Sequence, residues 1–165
     1  YNIKINVLSS NQENEENIYS EICKSINECF DNLNNKLMKR LYLTHLDLLI
    51  LGNNFIKEDY DNIMNFFLSQ KTSRNAFTTI IVDKIDDKLL NYDSKDINNM
   101  LDFSTNGLAK KTTFDEIIKN ILNYKISYIP YIENKDELGK VNMRKISAFD
   151  LLTVEKLVAK IYESL

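Results

Sequence analysis

The densest run of apolar residues in the chain lies between Leu41 and Leu51, where seven of the eleven residues are Leu or Ile. From Leu48 onward the run has no polar residue, and Gly52 ends it. A short apolar run closed by glycine is typical of a β-strand that is buried on both faces. Before Leu48 polar and apolar residues are mixed, with His45 on one face of the predicted strand. The pattern therefore predicts a strand that begins at a polar rim, ends in the core and organises the rest of the chain.

The N-terminal part predicts one strand and one long helix. Residues 1–8 alternate between apolar and polar side chains, which indicates a half-buried strand, and Ser9–Asn17 is predicted to be a solvated acidic loop. Apolar residues then recur at helical spacing over Glu21–Met38. On such a helix Cys23 and Cys29 would lie about 120° apart, so we expect two small buried hydrophobic residues that do not pair with each other. The number of cysteines says little about the cellular compartment of the protein.

Two further elements follow the central strand. A stripe of aromatic and aliphatic residues predicts a helix over Tyr60–Leu68, with Glu58 and Asp59 at the end where the helix dipole favours negative charge. Phe77–Val82 is rich in β-branched residues and predicts a strand. The first half is therefore predicted to be β-α-β-α-β, and the helical crossovers suggest that neighbouring strands run parallel.

The second half begins with helix signals. Residues 85–90 predict a short helical turn, and Asp93-Ser94 can cap the helix that follows it. Thr113 and Glu116 have the spacing of a capping box, which predicts the start of another helix.

The C-terminal segments have the patterns of strands. Tyr124–Ile132 contains Pro130, which has no backbone N–H, so this segment is predicted to be an edge strand or an extended connector. Val141–Phe149 predicts another strand, and Lys156–Tyr162 predicts either a strand or a short helix.

Composition and charge narrow the class of protein only slightly. A length of 165 residues with 44% hydrophobic residues fits one globular domain. Acidic and basic residues are interleaved, and the formal net charge is -3, which argues against nucleic acid as a main partner because phosphate binding requires a basic face. The apolar run is also too short to span a bilayer, which takes about 20 residues.

The sequence shows no catalytic cluster. The loop after Leu51 has neither of the glycine patterns that bind phosphate, and Asp83, Asp86 and Asp87 fit a solvated turn better than a cation site. His45 is the only histidine, and two interpretations of it stay open. It can hydrogen-bond the backbone or a carboxylate at the rim of the sheet, or belong to a triad assembled by the fold. We predict no catalytic residue, no metal ligand and no cofactor.

Several segments resemble one known family when they are taken in chain order. They are Arg40-Leu41-Tyr42-Leu43-Thr44-His45-Leu46 with Leu49-Ile50-Leu51-Gly52, then Asn65-Phe66-Phe67-Leu68, then Arg74 before Phe77–Val82, and finally Ile129-Pro130-Tyr131-Ile132. Together they resemble the N-terminal domain of the spore germination receptor C subunit, the Ger(x)C lipoprotein family. The chain departs from that family near its end, where Ser147-Ala148-Phe149 and Lys156-Leu157-Val158-Ala159 lack the family's glycines.

The resemblance implies a fold, a location and partners. The fold would be α+β, with helices packed on a mixed sheet, and residues 1–165 would be the N-terminal domain of a longer protein. Within it, residues 141–165 would form a hairpin or lead toward the next domain. The domain would be held at the outer face of the spore inner membrane by a lipid anchor upstream of Tyr1, where the family works with membrane-embedded A and B subunits. No enzymatic activity is implied.

The residues that carry the resemblance are the candidate site. Arg40, Tyr42, His45 and Arg74 would act either at an interface with partners or as structural hydrogen-bonding groups at the rim of a sheet. Two other functions are kept as alternatives: a domain that binds a small ligand such as an amino acid or nucleoside, and an unrelated α/β enzyme without recognisable motifs.

Overall fold

The computed structural model describes residues 3–10, 16–38, 40–70, 75–92, 94–102, 110–133 and 141–147. Contacts divide the chain into two compact units, Tyr1–Leu43 and Thr44–Leu165, and each is described by itself.

The first unit is a β-hairpin with one helix packed on it. Strands β1 (Ile3–Ser10) and β2 (Glu16–Cys23) are antiparallel, and helix α1 (Ile26–Leu37) follows after two residues. Ser25 caps α1, because its hydroxyl accepts a hydrogen bond from the backbone N–H of Glu28 at 3.2 Å. The side chains buried in this unit come from all three elements and are Ile3, Cys23, Ile26, Cys29 and Leu33.

The first strand is confirmed, but the predictions for the next thirty residues were partly wrong. Residues 9–10 and 16–17, assigned to a loop, lie in the two strands, and the predicted helix over Glu21–Met38 begins only at Ile26. Ile22 fits the helical spacing of the apolar residues that follow it, but it belongs to β2 and lies on the solvent-exposed face of that strand. Local periodicity could not separate the end of this strand from the start of the helix.

The prediction that Cys23 and Cys29 cannot pair was also wrong. Cys23 is the last residue of β2, and Cys29 lies in the first turns of α1, so the angular separation on a common helix does not apply. Their Cα atoms are 5.5 Å apart, a normal separation for a disulfide, and the two sulfurs are bonded.

The second unit is a four-stranded mixed sheet with helices on it. Its spatial order is β3 (Leu48–Gly52), β4 (Thr78–Val82), β5 (Ile126–Ile132) and β6 (Val141–Ser147). The first three strands are parallel, and β6 is antiparallel to β5. The helices are α2 (Asn53–Ser69), α3 (Asp87–Leu90), α4 (Ser94–Asp102) and α5 (Phe114–Tyr124). The predicted α+β class with a mixed sheet is confirmed.

The run Leu41–Leu51 is not one strand. Its first part contains a 3₁₀ turn at Leu43–His45, and β3 begins at Leu48. Because β3 lies at one edge of the four-stranded sheet, only Leu51 among its residues is fully buried. The centre of the core is β4 instead, since all five of its residues are buried. The predicted β-α-β-α-β order also fails at its start, because β1 pairs with β2 in a separate sheet.

Helices cover both faces of the four-stranded sheet. Ile80, Val82 and Ile132 pack with Leu89 of α3 and with residues of α4. Ser127 points to the opposite face, because its hydroxyl is 3.5 Å from the side-chain nitrogen of Asn120 in α5. Helices α2 and α5 are joined by an aromatic cluster whose neighbouring ring centroids are 4.9–5.4 Å apart: Phe66, Phe67, Phe77 and Phe114.

Strand β5 is interior, so its prediction as an edge strand was wrong. It lies between β4 and β6, but it pairs with β4 only through Tyr131 and Ile132. Beside the first half of β4 lies the segment before α5, where the carbonyl of Thr112 accepts a hydrogen bond from the N–H of Thr79 at 3.0 Å. Pro130 therefore lies before the residues of β5 that pair with β4. Its missing N–H removes no hydrogen bond between these two strands.

The remaining helix predictions were mostly right. The capping box of Thr113 and Glu116 is present, and the short turn is α3. Helix α2 begins at Asn53, earlier than predicted, so Glu58 and Asp59 are not in its first turn. The predicted cap residue Asp93, the last two residues of the strand Val141–Phe149 and the segment Lys156–Tyr162 lie outside the described residues.

Candidate functional site

Three of the four residues of the predicted site, Arg40, Tyr42 and His45, lie in the described part of the chain. Arg40 and Tyr42 belong to the first unit, and both are exposed, Tyr42 to 70%. His45 belongs to the second unit and is exposed in the 3₁₀ turn. Arg74 lies outside the described residues. The part played by each residue therefore remains a prediction.

Arg40 lines a shallow depression at the end of α1. The depression has a volume of about 570 Å³, and its other lining residues are Asp31, Asn34, Asn35 and Met38. The side-chain oxygen of Asn34 accepts a hydrogen bond from the N–H of Leu41 at 2.7 Å, which fixes the chain as it leaves the helix. Small-molecule sites are mostly apolar and concave, whereas four of these five lining side chains are polar or charged.

A second exposed feature was missed from the sequence, and we call it the hairpin outer face. It consists of the residues of β1 and β2 that point away from α1: Lys4, Asn6, Leu8, Ile18, Ser20 and Ile22. Leu8 and Ile18 are opposite each other and are 40% and 42% exposed, while Ile22 is 62% exposed. Between them the hydroxyl of Ser20 donates a hydrogen bond to the side-chain oxygen of Asn6 at 2.6 Å.

The hairpin outer face exposes three aliphatic side chains, Leu8, Ile18 and Ile22. The opposite face of the hairpin supplies the buried contacts with α1, so Leu8, Ile18 and Ile22 contribute little to this unit's core. Leu8 and Ile18 form one apolar pair, and Ile22 lies beyond the polar pair of Asn6 and Ser20. Exposed apolar side chains rimmed by polar residues are typical of protein interaction sites. Residues 18–22 read Ile-Tyr-Ser-Glu-Ile, without the apolar and polar alternation of a half-buried strand, so no clear signal for this face is present in the sequence.

The acidic residues near the C-terminal edge of the sheet have structural partners. Asp86 caps α3 by accepting a hydrogen bond from the N–H of Leu89 at 2.9 Å. Asp83 accepts one from the hydroxyl of Tyr131. Across the described part of the chain, no group of three or more His, Cys, Asp or Glu side chains is arranged to hold a metal ion.

One ionisable group on α5 is clearly perturbed. The ammonium of Lys119 lies 2.6 Å from the carboxylate of Asp115, one helical turn away. The hydrogen bond and the negative charge of Asp115 raise the pKa of Lys119 above its ordinary value.

Among the helices in the described ranges, none has the length and apolar character required to cross a bilayer.

The first unit combines a hairpin with one helix and the second a mixed sheet with four helices, so the described residues have an α+β fold. Exposed surfaces lie on the hairpin and around α1. Over residues 2–134 the chain matches the family described as the spore germination protein N-terminal domain, and it belongs to that family. Comparison with curated proteins and comparison with solved structures each gave no match. The matched region ends just after β5, so β6 lies beyond it.

Proposed function

We propose that this chain is a non-catalytic domain of the C subunit of a nutrient germinant receptor, where it acts in receptor assembly and germination signalling. Membership of the spore germination family supports the role in germination. The partners would be the membrane-embedded A and B subunits, and a lipid anchor upstream of Tyr1 would hold the domain at the outer face of the spore inner membrane.

The observation that carries the role in assembly is the hairpin outer face. Leu8, Ile18 and Ile22 are exposed together on one side of a two-stranded sheet, and burying them against a partner would release apolar surface from water. The polar pair Asn6 and Ser20 lies between them and would fix the register of the contact. We assign this face to the other receptor subunits.

The test is co-purification of the full-length C subunit with its A and B subunits from membranes. The variant Ile18→Ser/Ile22→Ser removes apolar surface at exposed positions, so the melting temperature should change little while recovery of the partner subunits falls severalfold. The control is Tyr124→Ser, because Tyr124 is 70% exposed but lies in the second unit. Recovery of the A and B subunits at the wild-type level by the double variant would contradict the proposal. A dimer of the purified chain that the double variant abolishes would assign the face to a second copy instead.

The four residues of the resemblance need a separate test. Tyr42→Ala in the full-length subunit should reduce germination while the melting temperature stays unchanged, because 70% exposure leaves this side chain few contacts to lose. Arg40→Ala, His45→Ala and Arg74→Ala are measured in the same way. A large drop in melting temperature would instead assign a residue to holding the rim of the sheet together.

Calorimetry on the same chain tests the alternative function, direct binding of an amino acid or nucleoside. Under the assembly proposal we expect no heat of binding at millimolar ligand. A saturable heat would replace the proposal with a role as a sensing domain.

A further inference from the structure

The disulfide Cys23–Cys29 bridges the short connection between β2 and α1 in the first unit. Only two residues, Lys24 and Ser25, separate the end of β2 from the start of α1, and both are exposed. The two cysteines are 5% and 0% exposed, so the bond lies inside the interface between the hairpin and the helix. It fixes the direction in which α1 leaves the hairpin.

The core of this unit depends strongly on the two cysteines. Five hydrophobic side chains are buried in its described residues, and Cys23 and Cys29 are two of them. A unit of this size has little capacity to stabilise itself by hydrophobic burial, and small domains commonly add disulfides for that reason. Lys36 of α1 also forms an ion pair with Glu21 of the hairpin, and the two side chains are 64% and 10% exposed. Ion pairs with exposed partners contribute little.

We propose that this disulfide is a latch that holds α1 on the hairpin, and that its reduction releases the helix. Disulfides form and persist in exported proteins, whereas cytosolic thiol systems keep cysteines reduced. The inference does not depend on the proposed function, although that function places the domain in the same kind of compartment.

A thiol reductant opens the latch in two steps. Its thiolate attacks one protein sulfur, the bond between Cys23 and Cys29 breaks, and a mixed disulfide forms. A second reductant thiolate then attacks the reductant's sulfur in that mixed disulfide and releases the other protein thiolate. The protein gains two electrons and two protons as two thiols, and the reductant leaves as its own disulfide. Because both sulfurs are buried, attack takes place during a transient local opening of the first unit.

The test uses the whole 165-residue chain, exported to an oxidising compartment and purified without reductant. Maleimide is added in denaturant to count free thiols, which is unambiguous because the sequence has only two cysteines. We expect no labelling before treatment with dithiothreitol and two labels after it. Two free thiols in the untreated exported chain would overturn the proposal.

Amide hydrogen exchange then shows what the latch holds. Reduction should raise exchange in β1, β2 and α1 by about tenfold or more, while β4 and α5 in the second unit keep their protection. Unchanged exchange in the first unit, or an equal rise in both units, would overturn the latch. The variant Cys23→Ala/Cys29→Ala should exchange like the reduced chain and ignore dithiothreitol. A continued response of this variant to dithiothreitol would show that the reductant acts elsewhere and would also overturn it.

Discussion

The hydroxyl of Tyr131 donates a hydrogen bond to the carboxylate of Asp83. This bond adds to the short paired region between the parallel strands β4 and β5. Strands β4 and β5 are paired at only two positions, Ile81 with Tyr131 and Val82 with Ile132. Asp83 is the first residue after β4, so this bond fastens the turn that leads to α3 onto β5.

Tyr131→Phe should therefore destabilise the second unit by about 1 kcal/mol, because it removes a hydrogen bond to a charged group that water only partly replaces. Urea unfolding of the whole chain measures the change. The control is Tyr128→Phe on the same strand, where the side chain is 48% exposed and the expected change is within about 0.5 kcal/mol. Equal effects of the two substitutions would show that the bond to Asp83 does not contribute.

A buried hydroxyl in β4 should be dispensable. The Oγ1 atom of Thr79 is buried and has no hydrogen-bond partner among the residues that the structure describes. Thr79→Val keeps the shape and removes an unsatisfied polar atom, so we expect stabilisation of about 1 kcal/mol in urea unfolding. Thr112→Val is the matched comparison, because that hydroxyl donates to the carbonyl of Lys110 at 3.0 Å and its loss should destabilise. Destabilisation by Thr79→Val would indicate that the hydroxyl has a partner.

Where the sequence predicted the fold correctly, the signal was local. Thr113 and Glu116 satisfy each other within four residues, so the start of α5 could be identified without knowledge of the rest of the chain. Strand β4 could also be predicted locally, because its run of β-branched residues is typical of a strand that is buried on both faces in the middle of a sheet.

The errors arose where distant residues decide the structure. Glu21 points toward α1 and pairs with Lys36, while Ile22 points toward solvent, which is the reverse of the usual pattern for a half-buried strand. The strand that pairs with β2 lies outside the short stretch of sequence from which β2 would be predicted, so that stretch could not indicate this arrangement. Pro130 is similar, because its place inside the sheet depends on where the segment before α5 meets β4. The hairpin outer face was missed for the same reason, and a resemblance based on Arg40, Tyr42, His45 and Arg74 could not point to it.

The ion pair on α5 predicts a pH dependence above neutrality. Asp115 raises the pKa of Lys119 in the folded chain, so the pair stabilises the helix at neutral pH and loses its contribution as the pH rises through that raised value, above 10.5. NMR titration of the Lys119 side chain should show a higher pKa in the wild type than in Asp115→Asn. An identical Lys119 titration in both proteins would contradict the assignment.

Gly52 lies in the segment that carries the family resemblance, and substitutions there can distinguish a structural role from a functional one. Its backbone angles, φ -69° and ψ 141°, suit any residue, and a Cβ atom there would lie 3.9 Å from Ile85, an ordinary contact. Gly52 is also the N-cap of α2, and glycine has no side chain that could accept a hydrogen bond from the first turn of that helix. Gly52→Ser should therefore stabilise the chain by a few tenths of a kcal/mol, about 0.3, because the new hydroxyl caps α2.

Gly52→Ala tests the same position without a capping group, and it should be less stable than Gly52→Ser by about 1 kcal/mol in urea unfolding. Both variants are then introduced into the full-length subunit, and germination is measured. Because the fold tolerates a side chain here, normal germination by both variants would mean that the glycine serves neither the fold nor the receptor. Loss of germination by a stable Gly52→Ser protein would show that a partner approaches the backbone closely at this point. Destabilisation by more than about 1 kcal/mol in Gly52→Ser would contradict the ordinary contact with Ile85 on which this prediction depends.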